Sequence, residues 1–127
     1  MLFNAQGEVV LVRHSYGRSD LFALPGGGVR PFETFETAAR REMREELGIV
    51  IAETVLLSTH FSAVEGKRDT IALFKATANG EDKPHADGFE LEEARFFPLD
   101  ALPLNTSPAT LRRIAEYRGE GEADPAW

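Results

Sequence analysis

Residues 27–49 read Gly27-Gly28-Val29-Arg30-Pro31-Phe32-Glu33-Thr34-Phe35-Glu36-Thr37-Ala38-Ala39-Arg40-Arg41-Glu42-Met43-Arg44-Glu45-Glu46-Leu47-Gly48-Ile49. A glycine-rich turn beginning at Leu24-Pro25-Gly26 leads into a helix expected over Thr34 to Leu47. Thr34 is the expected N-cap and Gly48 the left-handed C-cap. This helix gathers Glu42, Glu45 and Glu46 in its last turns. Carboxylates there face the negative end of the helix dipole, and like charges at i, i+3 and i+4 repel by about a few tenths of a kcal/mol per pair. Such a placement calls for a compensating cation. At roughly 100° per residue, Phe35, Ala39, Met43 and Leu47 form the expected core stripe. Arg40, Arg44, Thr37 and Arg41 fall on the solvent side, and the three glutamates border the stripe. Hard cations such as Mg²⁺ prefer oxygen ligands of this kind and are usually held by one or two carboxylates, waters and substrate phosphates. The matching chemistry is metal-assisted attack of water on a phosphoanhydride.

Outward from this segment, Glu8 to His14 is a β-branched apolar run expected as a buried strand, and Leu21 to Leu24 a short one. Val50 to Val64 and Asp69 to Ala78 read as an antiparallel hairpin turned at Glu65-Gly66-Lys67-Arg68. Ser15 to Asp20 and Asn79 to Phe89 read as loops, and Ala94 to Phe97 as a short strand ended by Pro98. Pro108 to Arg118 is a second amphipathic helix with Leu111, Ile114 and Ala115 on its apolar face. Residues 119–127 are expected to be a mobile tail. Strands mixed with two helices suggest a single domain, 1–127, built as an α/β sandwich around a mixed sheet.

Bulk properties narrow the function. The chain has 127 residues, 43% of them hydrophobic and 28% charged, which fits one ordered domain. A net charge of −7 argues against a nucleic acid polymer as partner. With no cysteine there is neither a disulfide framework nor thiol chemistry. No apolar run is long enough to span a membrane, and a cytoplasmic protein is expected. Gly26-Gly27-Gly28 is not a P-loop, because no Gly-Lys-Ser/Thr follows. His60 and His85 are read as structural and loop residues, whereas His14 and Arg13 lie where a strand should end near the glycine turn. Phe22 reads chiefly as core and is kept as a residue that could stack on a base.

The spacing Gly27-x5-Glu33-x7-Arg41-Glu42-Met43-x-Glu45-Glu46-x-Gly48-Ile49 resembles the Nudix box at every specified position. Looser similarity extends to Gly7–Arg13 and Glu93–Asp100. The resemblance implies an α/β/α sandwich of the MutT-like type and a pyrophosphohydrolase acting on a nucleoside diphosphate linked to another group, with Mg²⁺ or Mn²⁺ as cofactor. By position, Glu42, Glu45, Glu46 and the Gly27 carbonyl would be metal ligands. Arg41 would fix the carboxylates and Glu33 would orient the loop. The base that activates water is Glu42 or one of Glu90, Glu92 and Glu93. Arg13, Arg30 and Phe22 are the candidates for substrate contact.

The chain departs from the family pattern at two positions. Many members have Glu where this chain has Arg30 and Gly where it has Phe32. Because Phe tolerates positive φ poorly, a reshaped turn is expected there. Members also carry most of a strand before Gly7-Glu8, and here only Met1-Leu2-Phe3 could supply it. Either that strand is shortened or the natural start lies elsewhere. A shortened strand would expose a sheet edge that a homodimer partner could cover. The missing downstream motifs disfavour NADH, ADP-ribose and dinucleoside polyphosphates, leaving a nucleoside triphosphate or a nucleotide sugar. Two other readings are a non-catalytic nucleotide-sensing module and isoprenoid diphosphate isomerisation; the second lacks a cysteine.

Overall fold

The computed structural model describes residues 1–15, 20–63, 68–80, 82–86 and 90–127. Its elements in chain order are β1 (Leu2–Phe3), β2 (Val9–His14), β3 (Phe22–Ala23), α1 (Phe35–Glu42), which continues into a π-helical turn (Met43–Leu47), β4 (Val55–Ser62), β5 (Asp69–Thr77), β6 (Leu91–Phe97) and α2 (Pro108–Tyr117). Most of the expected hairpin turn (64–67) and parts of the two expected loops (16–19, 81, 87–89) lie outside the described residues.

β2 organises the sheet. Along one edge it pairs antiparallel with β6, from Val9↔Phe97 to His14↔Leu91, with a bulge at Arg13/His14. Its other edge is shared by β1, at Phe3↔Val9, and β3, at Val12↔Ala23 and Arg13↔Phe22. β1 runs parallel to β5, with Leu2 opposite Ala76, and β5 pairs antiparallel with β4. The sheet is therefore mixed, and β1 is short at two residues.

Alternation along β2 creates two cores. Val10 and Val12 face the layer of α1, with Leu2, Met43, Leu47, Ile49, Ala76 and Leu91. Val9 and Leu11 face the layer of α2, with Phe3, Phe22, Leu73, Phe97 and Ile114. Successive strand side chains point to opposite faces, so a strand covered on both sides must be apolar throughout. This is the physical reason for the unbroken Val9-Val10-Leu11-Val12 run, all four residues fully buried. The architecture is the expected α/β/α sandwich.

The caps of the first helix are those read from the sequence. Thr34 accepts a hydrogen bond from the Thr37 N–H, and Gly48 takes φ 69. Other expectations need correction. Phe35 is not part of the core stripe: it is 45% exposed, and Ala38 is buried in its stead. Arg41, assigned to the solvent side, is buried, because the glycine loop folds over it and supplies its hydrogen-bond partners. In α2 the buried positions are Thr110, Arg113 and Ile114, whereas Leu111 is exposed. β6 starts at Leu91 rather than Ala94, because pairing with β2 extends it.

The end of the tail expected to be mobile hydrogen-bonds to β4. Phe61 N–H donates to Pro125 O at 2.7 Å and Trp127 N–H to Phe61 O at 2.8 Å, joining it to the end of β4. Phe32 takes the left-handed φ of 65 and leaves its ring fully exposed. Among the described residues no helix is long and apolar enough to cross a membrane.

Candidate active site

The loop from Leu24 to Glu33 carries the chain from β3 to α1. Its start is held by α2, where Thr110 Oγ1 accepts from the Leu24 N–H at 3.2 Å. Its middle is held by Arg41. The guanidinium donates to both Glu33 oxygens, Nε to Oε2 at 2.8 Å and Nη2 to Oε1 at 2.9 Å, the fork geometry that suits a carboxylate. Nη2 also donates to the Gly28 carbonyl at 2.8 Å. Nη1 turns to the helix, reaching Glu42 Oε1 at 2.8 Å and Glu45 Oε2 at 3.3 Å. One arginine therefore stitches loop to helix and orients two of the three glutamates.

Glu33 is further fixed by the Arg30 N–H, which donates to Oε1 at 3.0 Å. These bonds stabilise the carboxylate form. The Arg41 guanidinium first, and the Arg30 backbone N–H second, hold the Glu33 carboxyl down at about 2. In return, hydrogen bonding to Glu33 raises the Arg41 guanidinium above its ordinary value. Arg30 itself is exposed, and its guanidinium lies 3.6 Å from Glu45 Oε1.

Gly27 packs directly on this cluster. A Cβ at that position would lie 2.5 Å from the Glu42 carboxyl carbon, inside any real contact distance. Only glycine lets the loop backbone approach the carboxylate so closely. The last turn of the helix, Met43–Leu47, is π-helical. Such turns alter the angular spacing of side chains and recur at functional sites. Here the turn carries Glu45 and the half-buried Glu46.

The structure thus brings Gly27, Arg30, Glu33, Arg41, Glu42 and Glu45 together, with Glu46 on the same turn. Two sequence candidates lie elsewhere. Arg13 is engaged by Glu92 at 2.7 Å and Glu93 at 2.8 Å across the β2–β6 pair, so its charge is already answered. Phe22 is buried at 6% exposure and packs edge-on against Phe97 with centroids 5.2 Å apart, as a core side chain. Sequence reasoning missed the Gly28 carbonyl as a partner of Arg41. It also missed a cleft of about 720 Å³ beside the loop, walled by Met1 and Leu2, by Gly26–Val29, by Phe35 and Ala39 of α1, by Thr70–Phe74 of β5 and by Trp127; the side chains of Glu33, Arg41, Glu42, Glu45 and Glu46 do not line it. The apolar Pro125-Ala126-Trp127 after a polar stretch was the available signal for the last of these.

Charge in the cluster is unbalanced. Two guanidiniums, Arg41 and the more distant Arg30, face three carboxylates, those of Glu33, Glu42 and Glu45. Among the described residues no group of three or more His, Cys, Asp or Glu side chains forms a ready metal cage. The donors available are all oxygens, carboxylates and the loop carbonyls, with negative charge in excess. That set suits a hard divalent ion, which takes one or two carboxylates and completes its shell with water and phosphate.

Comparison with known proteins places the chain in a family. A model described as the NUDIX domain matches residues 1–117. The chain is 38% identical over 85 residues to an ADP-ribose pyrophosphatase of Methanocaldococcus jannaschii, covering 65% of this chain but only 48% of that relative, so it spans about half the relative's length. It is 30% identical over 128 residues to a Nudix hydrolase of Pseudomonas aeruginosa, covering 92% of this chain and 73% of the relative. The crystal structure of a MutT NUDIX hydrolase from Burkholderia pseudomallei superposes with a TM-score of 0.74 at 28% identity, covering 89% of this chain and 92% of that one. The chain belongs to the NUDIX domain family.

Proposed function

We propose that the protein hydrolyses a phosphoanhydride bond in a nucleoside diphosphate linked to a second group, a nucleoside triphosphate or a nucleotide sugar, with Mg²⁺ or Mn²⁺. The observation that carries this reading is the Arg41 cluster: a buried guanidinium that binds loop and helix together through the carboxylates of Glu33, Glu42 and Glu45. Glu42, Glu45, Glu46 and the Gly27 carbonyl would hold the metal. When bound, it would neutralise phosphate charge and activate water.

The chain's own residues do the remaining work. Arg41 and Glu33 keep the loop and Glu42 in one geometry, which lowers the cost of organising the site at each turnover. Arg30, exposed at the loop and 3.6 Å from Glu45, would meet a substrate phosphate. Glu42, or one of Glu90, Glu92 and Glu93, would take the proton from water. The archaeal relative bears the name ADP-ribose pyrophosphatase, which supports a sugar attached to the diphosphate.

A panel of nucleoside triphosphates, nucleotide sugars and ADP-ribose, assayed for product with Mg²⁺ and with Mn²⁺, tests the proposal. At least one compound should turn over only with metal, and Glu45→Gln should reduce that turnover sharply. If nucleotides bind to wild type and none is hydrolysed, the chain is a nucleotide-binding module and the enzymatic reading is wrong.

A further inference from the structure

The turn Arg30-Pro31-Phe32-Glu33 fixes where the Arg30 side chain starts but leaves its charged end in solvent. The Arg30 backbone is tied to Glu33 twice: the Glu33 N–H donates to Arg30 O at 3.1 Å, and the Arg30 N–H donates to Glu33 Oε1 at 3.0 Å. Arg41 clamps Glu33 in turn. The Arg30 side chain itself is 62% exposed. Glu45 lies between two cations. Its Oε2 faces Arg41 at 3.3 Å and its Oε1 faces Arg30 at 3.6 Å, both longer than the 2.8 Å that Arg41 keeps to Glu33 Oε2 and to Glu42. At 45% exposure its side chain is also more open than those of Glu33, at 11%, and Glu42, at 14%. Of these three carboxylates, Glu45 is the one that can turn to another cation at least cost.

Arg41 cannot yield to such a cation, because its guanidinium also holds Glu33, Glu42 and the Gly28 carbonyl. Arg30 can, since its head already lies in solvent and an exposed ion pair is weak. We propose that Arg30 is an exchangeable counter-ion, which gives up Glu45 to a divalent cation and then takes a substrate phosphate. The inference rests on the reading of Glu45 as a metal ligand given above. The planar fork of a guanidinium matches carboxylate and phosphate alike, so one side chain can serve both partners in turn. A positive charge beside Glu45 opposes a second cation there, so Arg30 lowers the affinity of the site for metal. Linkage adds a reciprocal effect. If metal binding frees Arg30 for phosphate, phosphate binding frees Glu45 for metal by the same factor.

Calorimetric titration with Mn²⁺ alone tests the exchange without any turnover. Arg30→Ala should bind Mn²⁺ about 5-fold more tightly than wild type, the scale of an exposed charge pair. Arg30→Glu changes the charge by twice as much and should bind about 25-fold more tightly. Arg30→Lys keeps the charge and should bind like wild type. Arg40→Ala makes the same change in net charge at a residue paired with Glu36, and it too should bind like wild type. The second half of the exchange is read with α,β-methylene-ADP. In Mg²⁺, Arg30→Ala should bind it about 10-fold more weakly than wild type, whereas in EDTA the two should agree. Circular dichroism melts establish that every variant is folded. Wild-type Mn²⁺ affinity in Arg30→Ala, an equal gain in Arg40→Ala, or an equal loss of nucleotide affinity with and without Mg²⁺ overturns the exchange and leaves the metal-site reading standing. If Glu45→Gln binds Mn²⁺ like wild type, the metal-site reading fails and the inference with it.

Discussion

Gly27→Ala is the sharpest perturbation available at the site. Gly27 does not have positive φ, so alanine fits the backbone and the only penalty is steric. The new methyl would sit 2.5 Å from the Glu42 carboxyl carbon. An ordinary carbon–carbon contact is about 3.5–4.0 Å, so loop or carboxylate must retreat by about 1 Å or more. Glu42 cannot retreat freely, since it is held to Arg41 at 2.8 Å. A misplacement of about 1 Å at a reacting centre costs about 100-fold in rate, or about 2.7 kcal/mol in the barrier at 1.36 kcal/mol per tenfold. Metal-dependent hydrolysis of the best compound from the substrate panel is the assay. Thermal unfolding run alongside should change by no more than the ~1–3 kcal/mol typical of local overpacking. Wild-type kcat in a folded Gly27→Ala protein would refute the claim that the contact between loop backbone and Glu42 sets the active geometry.

Three further outcomes are expected. Because Glu33 is held at about 2 against an ordinary 4.5, its pairing stabilises the fold fully above pH 4.5 and is lost as pH falls toward 2. Arg41 stays protonated throughout, so urea midpoints of wild type should fall more steeply over that window than those of Glu33→Gln; parallel curves would contradict this. Phe32→Gly should stabilise the protein by about 0.5 kcal/mol, since the left-handed conformation costs a non-glycine residue about 1–2 kcal/mol and glycine's added chain entropy offsets only part of that; a lower melting temperature would show that the exposed ring makes a stabilising contact. Phe22→Ala should cost about 3–5 kcal/mol of stability as a core truncation, and a selective rise in KM at unchanged stability would instead restore it as a substrate contact.

Local rules made much of the fold legible. Val9–Val12 could only be a doubly covered strand, and Thr34 and Gly48 bracket the first helix because capping is decided within a few residues. The grouping of Gly27, Glu33, Arg41, Glu42 and Glu45 was readable because its spacing matches a known pattern. What escaped depends on distant parts of the chain. A helical wheel turns Arg41 toward water, and only the loop folding back over it supplies Glu33 and the Gly28 carbonyl. Arg113 looks like a surface residue of an amphipathic helix until the strap from Asp124 to Trp127 covers it. The strand expected from Ala94 begins at Leu91, because residues 91–93 owe their strand character to pairing with β2 and not to their own alternation. Arg13 reads as an open cation because its two carboxylate partners lie some eighty positions away.

The four fully buried residues of β2 serve both layers at once. Neither helix can therefore leave the sheet without baring a face of the same strand, and there is no partial state in which one half of the sandwich keeps a dry interior. The molecule should come apart in a single step. The amides of Val9 to Val12 should exchange with solvent only through that global opening, which makes this one strand a gauge of the whole chain's stability.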